Sequence, residues 1–544
     1  MNRVFVTTPI FYVNGAPHLG HAYSLVLADV IARWHRLNGA RVLLATGTDE
    51  HGKKVHEAAQ SANMTTMEFC THNSNCFRSL ALQLDCSQDD FIRTTESRHV
   101  ESVHRLWDIL QSKGYLYRGS YSGWYSVSDE EFLKEEDTIV LEDGSRCSKL
   151  SGRPVELISE LNWMFKLSAF RDEIKSIINS GKMQIVPASR KNEVLAYLDS
   201  DIGDLSVSRP VARVPWGIPV PSRSFDIKSA DLSDDDRQVI YVWLDALANY
   251  LTVAGYPSPR FVDSWPPTHQ VIGKDILKFH AVYWPAFLLA ADLPFPKKIV
   301  CHAHWVVDGK KMSKSLGNVV EPCKYVDSIG MDRFRYFMMK ESSLSQDSNF
   351  LRDLVFQKCN VDLADTLGNL LSRTLALLAK TDREALAKQF FKLANPFVSQ
   401  SAQETEIFSR INNLRETVHV YYDDGEISKV IEHILELLRL GNSYFSAARP
   451  WDTVKPGGDF ALFSRTLLVS LEVLRASMIA LSPIIPISAE KGISALAAKD
   501  LSSAQHVRFG LPFSFSIDNS LNRILSMNVT QPLFARLKST DVCA

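Results

Sequence analysis

The strongest constraint on the fold is an alternation of strand and helix that begins almost at the first residue, breaks off and later resumes. "RVFVTT" (residues 3–8) reads as a strand, the stretch after Pro17 as a helix, "ARVLLAT" (40–46) as a second strand, and "GTDEHG" (47–52) leads into another helix. Strands joined through helices in this way are parallel neighbours, so the chain should open with a βαβ unit. The first helix carries Leu27, Val30, Ile31, Trp34 and Leu37 at helical spacing and stops at Asn38-Gly39, where glycine accepts the left-handed conformation that ends a helix. Ligands of open α/β sheets sit beyond the carboxyl ends of the strands. Both "APHLGH" (16–21) and "GTDEHG" fall there, so two loops should share one crevice.

From 119 to 222 the pattern gives way to short polar and aromatic pieces such as "GSYSGWYSVSDEEFL", which reads as an insertion between two halves of the sheet. Alternation returns in "VIYVWLDALANYL", "HQVIGKDILKFHAVYWPAFLLAA" and "KKIVCHAHWVVDGKKMSKSLGN". Beyond about residue 350 strands disappear and amphipathic segments such as "EISKVIEHILELLRLGNSYFSAA" follow one another, which predicts a helical bundle. The expected division is a split α/β domain with a parallel sheet (1–118 and 223–310), an α+β insertion (119–222), a loop and connecting region (311–350), an all-α bundle (351–500) and a weakly patterned tail (501–544).

With 544 residues, the chain has room for several such units. Its 60 Lys plus Arg against 62 Asp plus Glu leave a formal charge of −2, so any nucleic-acid contact must rest on local patches. Eight cysteines occur without a C-x-x-C pair, which predicts neither a disulfide framework nor a zinc knuckle, and implies a reducing compartment. No apolar stretch reaches the length of a membrane span, so no membrane association is expected. Met1 is followed almost at once by a strand; if the protein works in an organelle, this form carries no pre-sequence.

Two imidazoles at i and i+3, His18 and His21, stand at the start of a helix, where backbone N–H groups already favour anions. Phosphate is the natural guest, Gly20 lets a flat nucleotide approach the backbone, and Asn14-Gly15 supplies a turn. On local grounds alone such histidines read better as capping or core residues. Their distant partner is "KKMSKS" (310–315), on the other half of the interrupted sheet. With both motifs present the chain resembles the class I aminoacyl-tRNA synthetases: "HLGH" is similar to that family's HIGH motif and "KMSKS" matches its second motif without a change. The resemblance narrows to the methionyl branch through "TTPIFYVNGAPHLGH", "TGTDEHG", "FIRTTESRH", "DLSVSRP", "WGIPVP", "YVWLDALANYL", "VIGKDILKFHAVYWPAFL" and "DLADTLGNLLSR", in family order over most of residues 3–375.

The resemblance implies that L-methionine is activated by ATP, with Mg2+ in the substrate complex, and then passed to tRNA(Met). It implies catalytic roles at the phosphates for His18, His21, Lys311 and Lys314, and ATP contacts from Tyr12, Asn14, Gly20, Gly273, Asp275, Ser313 and Lys314, with Arg209 as a further candidate. For methionine it implies Asp49 at the ammonium group and Ile10, Tyr12, Trp243, Ala246, Tyr250, Ile276, His280 and Trp284 around the side chain. Ile276, His280 and Trp284 would share one helix stripe, and a histidine in an apolar stripe needs a hydrogen-bond partner, either Tyr12 or Tyr250. Anticodon bases, read as splayed single strands, would meet Asn369, Arg373 and Trp451. Without the family, Trp451 after Pro450 fits a packing anchor equally well.

The chain departs from many relatives in its insertion, where Ser126 and Asp129 occupy positions of zinc-binding thiolates and Cys147 is left alone. A structural zinc site wants four ligands, so no metal is expected and the knuckle should be held by packing. The length leaves no room for an additional C-terminal module, which predicts a monomer. The motifs resemble most the mitochondrial form of the enzyme, placing the protein in the mitochondrial matrix, with the cytoplasm as the alternative. Two further readings stand beside this one: a tRNA-binding factor that kept the fold and lost catalysis, and another HIGH-motif enzyme, such as a nucleotidyltransferase or a leucyl, isoleucyl or valyl synthetase. Intact His18, His21, Lys311 and Lys314 oppose the first, and the bundle together with the modest insertion opposes the second.

Overall fold

The computed structural model describes residues 3–126, 131–133, 135–141, 143–149, 152–221, 224, 237–312, 317–394, 399, 401–455, 457–496 and 532–538. At its centre is a seven-stranded parallel sheet in the order Gln184–Val186, Lys298–His302, His269–Gly273, Arg3–Thr7, Arg41–Asp49, Phe11–Tyr12, with Asp90–Arg93 also pairing with Arg41–Asp49. Because side chains of a strand alternate between faces, a parallel sheet covered on both sides feeds two cores. Val4 and Val6 enter one and Phe5 the other, and Val271, Val300 and Leu44 are likewise separated from Ile272, Ile299 and Ala45. The first core continues through the helix Leu19–Leu37 into the helical bundle; the second holds the helices Ser97–Ser112, Val242–Val253 and Trp284–Ala290.

The helix Leu19–Leu37 follows its sequence pattern. Leu27, Val30, Ile31 and Trp34 are buried, and Gly39 at φ 79° lies just past the capping Asn38. The interruption is a four-stranded antiparallel sheet in the order Leu205–Ser206, Glu156–Phe165, Leu116–Ser126, Glu131–Leu133. It departs from the expected insertion in two ways. Its first strand begins inside the segment expected to belong to the α/β domain. Within 119–222, moreover, Gln184–Val186 returns to the main sheet as its edge strand, flanked by the helices Arg171–Asn179 and Ala188–Asp199. A strand of three residues is too short to show a period.

Beyond the sheet, Pro322–Ile329 and Met331–Glu341 lead to long helices, Ala402–Asp424, Ile427–Ala448 and Phe460–Leu481, packed on one another. Ala402–Asp424 ends against the parallel sheet. Gly425 (φ 75°) closes it, and a Cβ there would stand 2.8 Å from Val300 Cγ1, so both the left-handed backbone and the close approach call for glycine. At this seam Lys298 Nζ bonds Asp423 at 2.5 Å and Asp424 at 2.6 Å. Part of the tail returns to the body: Arg333 donates to the Ala535 carbonyl and Asn360 exchanges hydrogen bonds with Leu537. "VRFGLP" of the tail lies outside the described residues. Among the described residues no helix is long and apolar enough to cross a membrane.

Candidate active site at the strand ends

The two histidines do cap their helix. The Gly20 N–H donates to His18 Nδ1 at 3.1 Å and the His18 N–H donates to His21 Nδ1 at 3.1 Å, a capping box built from imidazoles. This local role also sets their chemistry. A neutral ring that accepts at Nδ1 carries its proton on Nε2, and an N–H is the group that suits a phosphate oxygen. The rings stack with centroids 3.8 Å apart, and His21 packs edge-on to Phe11 and Phe77. Burial, followed by the neighbouring His18, pushes the His21 pKa well down, so this ring is neutral at physiological pH. Gly20 serves the cap directly, since a Cβ would stand 2.9 Å from His18 Cε1.

Across the crevice the strand His269–Gly273 ends in Lys274 and Asp275. Asp275 lies 3.3 Å from His304 Nε2 and 3.6 Å from Lys311 Nζ. Desolvation raises its pKa, but the His304 contact and then Lys311 outweigh it and hold the carboxyl below its usual range. Ser24 on the capped helix lies 2.8 Å from His302 Nε2 at the end of the strand Lys298–His302, so the two halves of the interrupted sheet converge on one site. Lys274 Nζ bonds Asp347 at 2.6 Å, and Asp347 in turn accepts from the His304 N–H. Lys311 ends a strand paired with Trp305–Val307 and is exposed; Ser313 and Lys314 lie outside the described residues.

Beside these polar groups lies an aromatic cluster. Tyr12 and Asp49 are partners in the sheet register, and Asn14 is exposed on the loop after Tyr12. His280 Nδ1–H donates to the Ile276 carbonyl at 3.0 Å, which leaves Nε2 to accept from the Tyr250 hydroxyl at 2.8 Å. Of the two expected partners, Tyr250 is therefore the one in place. Burial pushes the His280 pKa down to about 4, so the ring is neutral. Trp284 packs 6.0 Å from Tyr250, and Trp243 stacks on Phe279 at 3.7 Å. The regular stripe expected for Ile276, His280 and Trp284 is interrupted, because a π-helical turn, Phe279–Tyr283, widens the helix between them. Ala246 is buried, whereas Ile10 and Ile276 are half-buried at the edge.

Arg209, a candidate nucleotide contact by sequence, is buried on the strand Ser208–Pro210. There it donates to the Ser206 and Ser208 carbonyls and covers the Tyr241 ring at 4.5 Å, which places it in the seam between the insertion and the helix Val242–Val253. In the insertion Ser126 and Cys147 are both buried, and Asp129 lies outside the described residues. Among the described residues, metal-ligand atoms converge at His35, His269 and Asp423, but Lys298 occupies the second oxygen of Asp423 and makes this group a charged seam between sheet and bundle. On the bundle, Arg373 lies over the rings of Phe445 (4.7 Å) and Trp451 (5.3 Å); Trp451 is 38% exposed and Asn369 is exposed one turn away.

A family model described as tRNA synthetases class I (M) matches residues 4–375. The chain belongs to the methionyl class I aminoacyl-tRNA synthetases. A second model, the anticodon binding domain of methionyl tRNA ligase, matches residues 396–541. The methionine–tRNA ligase of Rickettsia felis is 41% identical over 497 residues, 91% of this chain and 92% of that protein. The human mitochondrial methionine–tRNA ligase is 41% identical over 508 residues, 91% of this chain and 84% of that protein. Mycobacterium tuberculosis methionyl-tRNA synthetase, solved in complex with methionyl-adenylate, superimposes with a TM-score of 0.85 at 37% identity, covering 93% of this chain and 96% of that one.

Several polar groups of the site were not foreseen. His302 ends the strand Lys298–His302 and His304 follows it, at the carboxyl end where ligands gather, so "HAH" closing an apolar strand was the available signal. His302 Nδ1–H donates to the Ala303 carbonyl, and its Nε2 accepts from Ser24 on the capped helix at 2.8 Å; burial pushes its pKa down to about 4. The pairing of Lys274 with Asp347 joins residues 73 positions apart and left no local trace.

Proposed function

We propose that the chain activates L-methionine with ATP and transfers the methionyl group to tRNA(Met) for protein synthesis. A methionine carboxylate oxygen attacks the α-phosphorus of ATP, the α–β phosphoanhydride bond breaks and pyrophosphate leaves. A hydroxyl of the terminal tRNA ribose then attacks the adenylate carbonyl, and AMP leaves. Neither step needs a protein nucleophile, so catalysis consists of positioning and of stabilising negative charge as it moves along the phosphates. The observation that carries this reading is the convergence at the strand ends of two Nε2 donors, from His18 and His21, with Lys311 and the Asp275–His304 pair.

In this reading His18, His21, Lys311 and Lys314 stabilise the phosphates, while Tyr12, Asn14, Gly20, Gly273, Asp275 and Ser313 line the nucleotide site, with Mg2+ arriving as part of the substrate complex. Asp49 takes the ammonium group, and Ile10, Tyr12, Trp243, Ala246, Tyr250, Ile276, His280 and Trp284 enclose the thioether. The neutral His280, held by Tyr250, supports an uncharged pocket. Asn369, Arg373 and Trp451 read the anticodon; the stacking of Arg373 on Trp451 supports a prepared surface for a base. The insertion holds without zinc, in keeping with Ser126 in place of a thiolate. The enzyme acts as a monomer in the mitochondrial matrix, a location supported by the human mitochondrial relative, although bacterial relatives are equally similar.

Amino-acid-dependent ATP–pyrophosphate exchange tests the reading. Methionine should support exchange. Exchange with leucine or cysteine in its place would sink the substrate assignment, and none with any amino acid would favour a tRNA-binding factor.

A further inference from the structure

The loop that carries Asp49 and the helix that carries Trp243, Ala246 and Tyr250 come from distant parts of the sequence, yet a buried carboxylate ties them together. Asp245, in the first turn of the helix Val242–Val253, is wholly buried. One of its oxygens lies 2.7 Å from His51 Nδ1 and the other 2.7 Å from His99 Nε2. His51 stands two residues beyond Asp49, and His99 belongs to the helix Ser97–Ser112. The far nitrogen of His99 lies 3.0 Å from Thr252 Oγ1, two turns further along the helix of Asp245. His99 thus grips that helix at both ends of its inner face, and Asp245 grips the loop through His51. The loop is further fixed by the Gly52 N–H, which donates to the Trp216 carbonyl at 3.0 Å.

We propose that Asp245 is a positioning residue that sets the spacing between the anion for the methionine ammonium group and the pocket for its side chain. The inference rests on the reading of Asp49 and the helix Val242–Val253 as the methionine site. The two ends of the amino acid would be held by elements 194 residues apart along the chain, and the His51–Asp245 hydrogen bond spans that separation. A fully buried carboxylate suits the task, since it accepts from both rings at once and leaving either donor unmatched in the interior is costly. Tyr12, the sheet partner of Asp49, is shared by the two substrates, but the groups assigned to the phosphates hang on other elements, namely the capped helix at His18 and His21 and the strand that ends at Lys311. The clamp should therefore govern methionine and not the nucleotide.

The test compares wild type with Asp245→Asn, His51→Gln and His99→Gln in methionine-dependent ATP–pyrophosphate exchange, with thermal melting of each variant. Asparagine keeps the size of Asp245 but turns an N–H toward one of two N–H donors. KM for methionine should rise tenfold or more in Asp245→Asn and at least threefold in each histidine variant, with kcat and KM for ATP within threefold of wild type. Unchanged KM for methionine in all folded variants, or a loss confined to kcat or to ATP, would overturn the proposal. If Asp245→Asn does not fold, the two histidine variants decide, and an unmoved KM in both overturns it. Failure of wild-type exchange with methionine would instead remove the underlying reading.

Discussion

Replacing Arg335 by methionine should loosen the joint between the catalytic sheet and the bundle. Arg335 has no exposed surface, and its guanidinium donates to Asp29 Oδ2 at 2.7 Å, Pro483 O at 2.8 Å, Leu84 O at 2.9 Å and Ile484 O at 3.0 Å. These partners belong to the capped helix, to the end of the helix Thr66–Gln83 and to the bend after Phe460–Leu481. Breaking a buried ion pair costs about 3–5 kcal/mol, and here the lower figure applies, because Asp29 keeps Arg33 at 2.8 Å and the Ser87 N–H at 2.7 Å. Three carbonyls that lose a donor add about 1 kcal/mol each at the low end. Allowing for water entry and non-additivity, the joint should weaken by about 4–6 kcal/mol.

A multidomain chain does not unfold in one step, so the assay is native-state hydrogen exchange, read as the opening free energy of the helices Leu19–Leu37 and Phe460–Leu481. Acid supplies a second arm. Burial raises the Asp29 pKa, but Arg335, Arg33 and Ser87 outweigh it and hold the carboxyl below its ordinary value. The contribution is therefore full above the unfolded pKa of about 4 and is lost as pH falls through the lower folded value, so the gap between wild type and Arg335→Met should narrow in acid. A variant that stays within about 1 kcal/mol of wild type at neutral pH, too small a change for a lost buried ion pair, would refute the account.

Lys314→Ala should lower methionine-dependent exchange by at least a hundredfold, the loss of about 2.7 kcal/mol of transition-state stabilisation, while tRNA binding stays within threefold; equal loss of both would point to misfolding. Trp451→Ala should spare exchange and cut tRNA charging tenfold or more, and unimpaired charging would remove Trp451 from the anticodon surface. Because burial holds the His280 pKa at about 4, below the unfolded value of about 6.5, its contribution to stability is full above pH 6.5 and falls by about 1.4 kcal/mol per pH unit as pH drops from there toward 4. His280→Gln should flatten that part of a stability profile read by native-state hydrogen exchange in the helix Val242–Val253, which carries its partner Tyr250, and an unchanged slope would show that the ring titrates normally.

Much of this molecule could be read locally. The helix Leu19–Leu37 was visible because a period of 3.6 needs no partner to show itself, and its glycine stop needs only a left-handed residue. The family was legible because "HLGH" and "KMSKS" are dense motifs whose spacing survives any insertion between them. Shorter elements were not. Gln184–Val186 is a strand only because Lys298–His302 lies beside it. The π-helical turn at Phe279–Tyr283 likewise re-aims a stripe whose sequence suggests an ordinary helix.

The sequence by itself determined the class of fold, the order of its parts and the two motifs that mark the family, because periodicity and motif spacing are properties of neighbouring residues. Tertiary structure alone decided which polar groups answer one another: His280 with Tyr250, Asp275 with His304, Asp245 with His51 and His99, and Arg335 with Asp29. A buried hydrogen bond or ion pair depends on two groups reaching about 3 Å with water excluded, and residues hundreds of positions apart meet that condition only when the whole chain has folded.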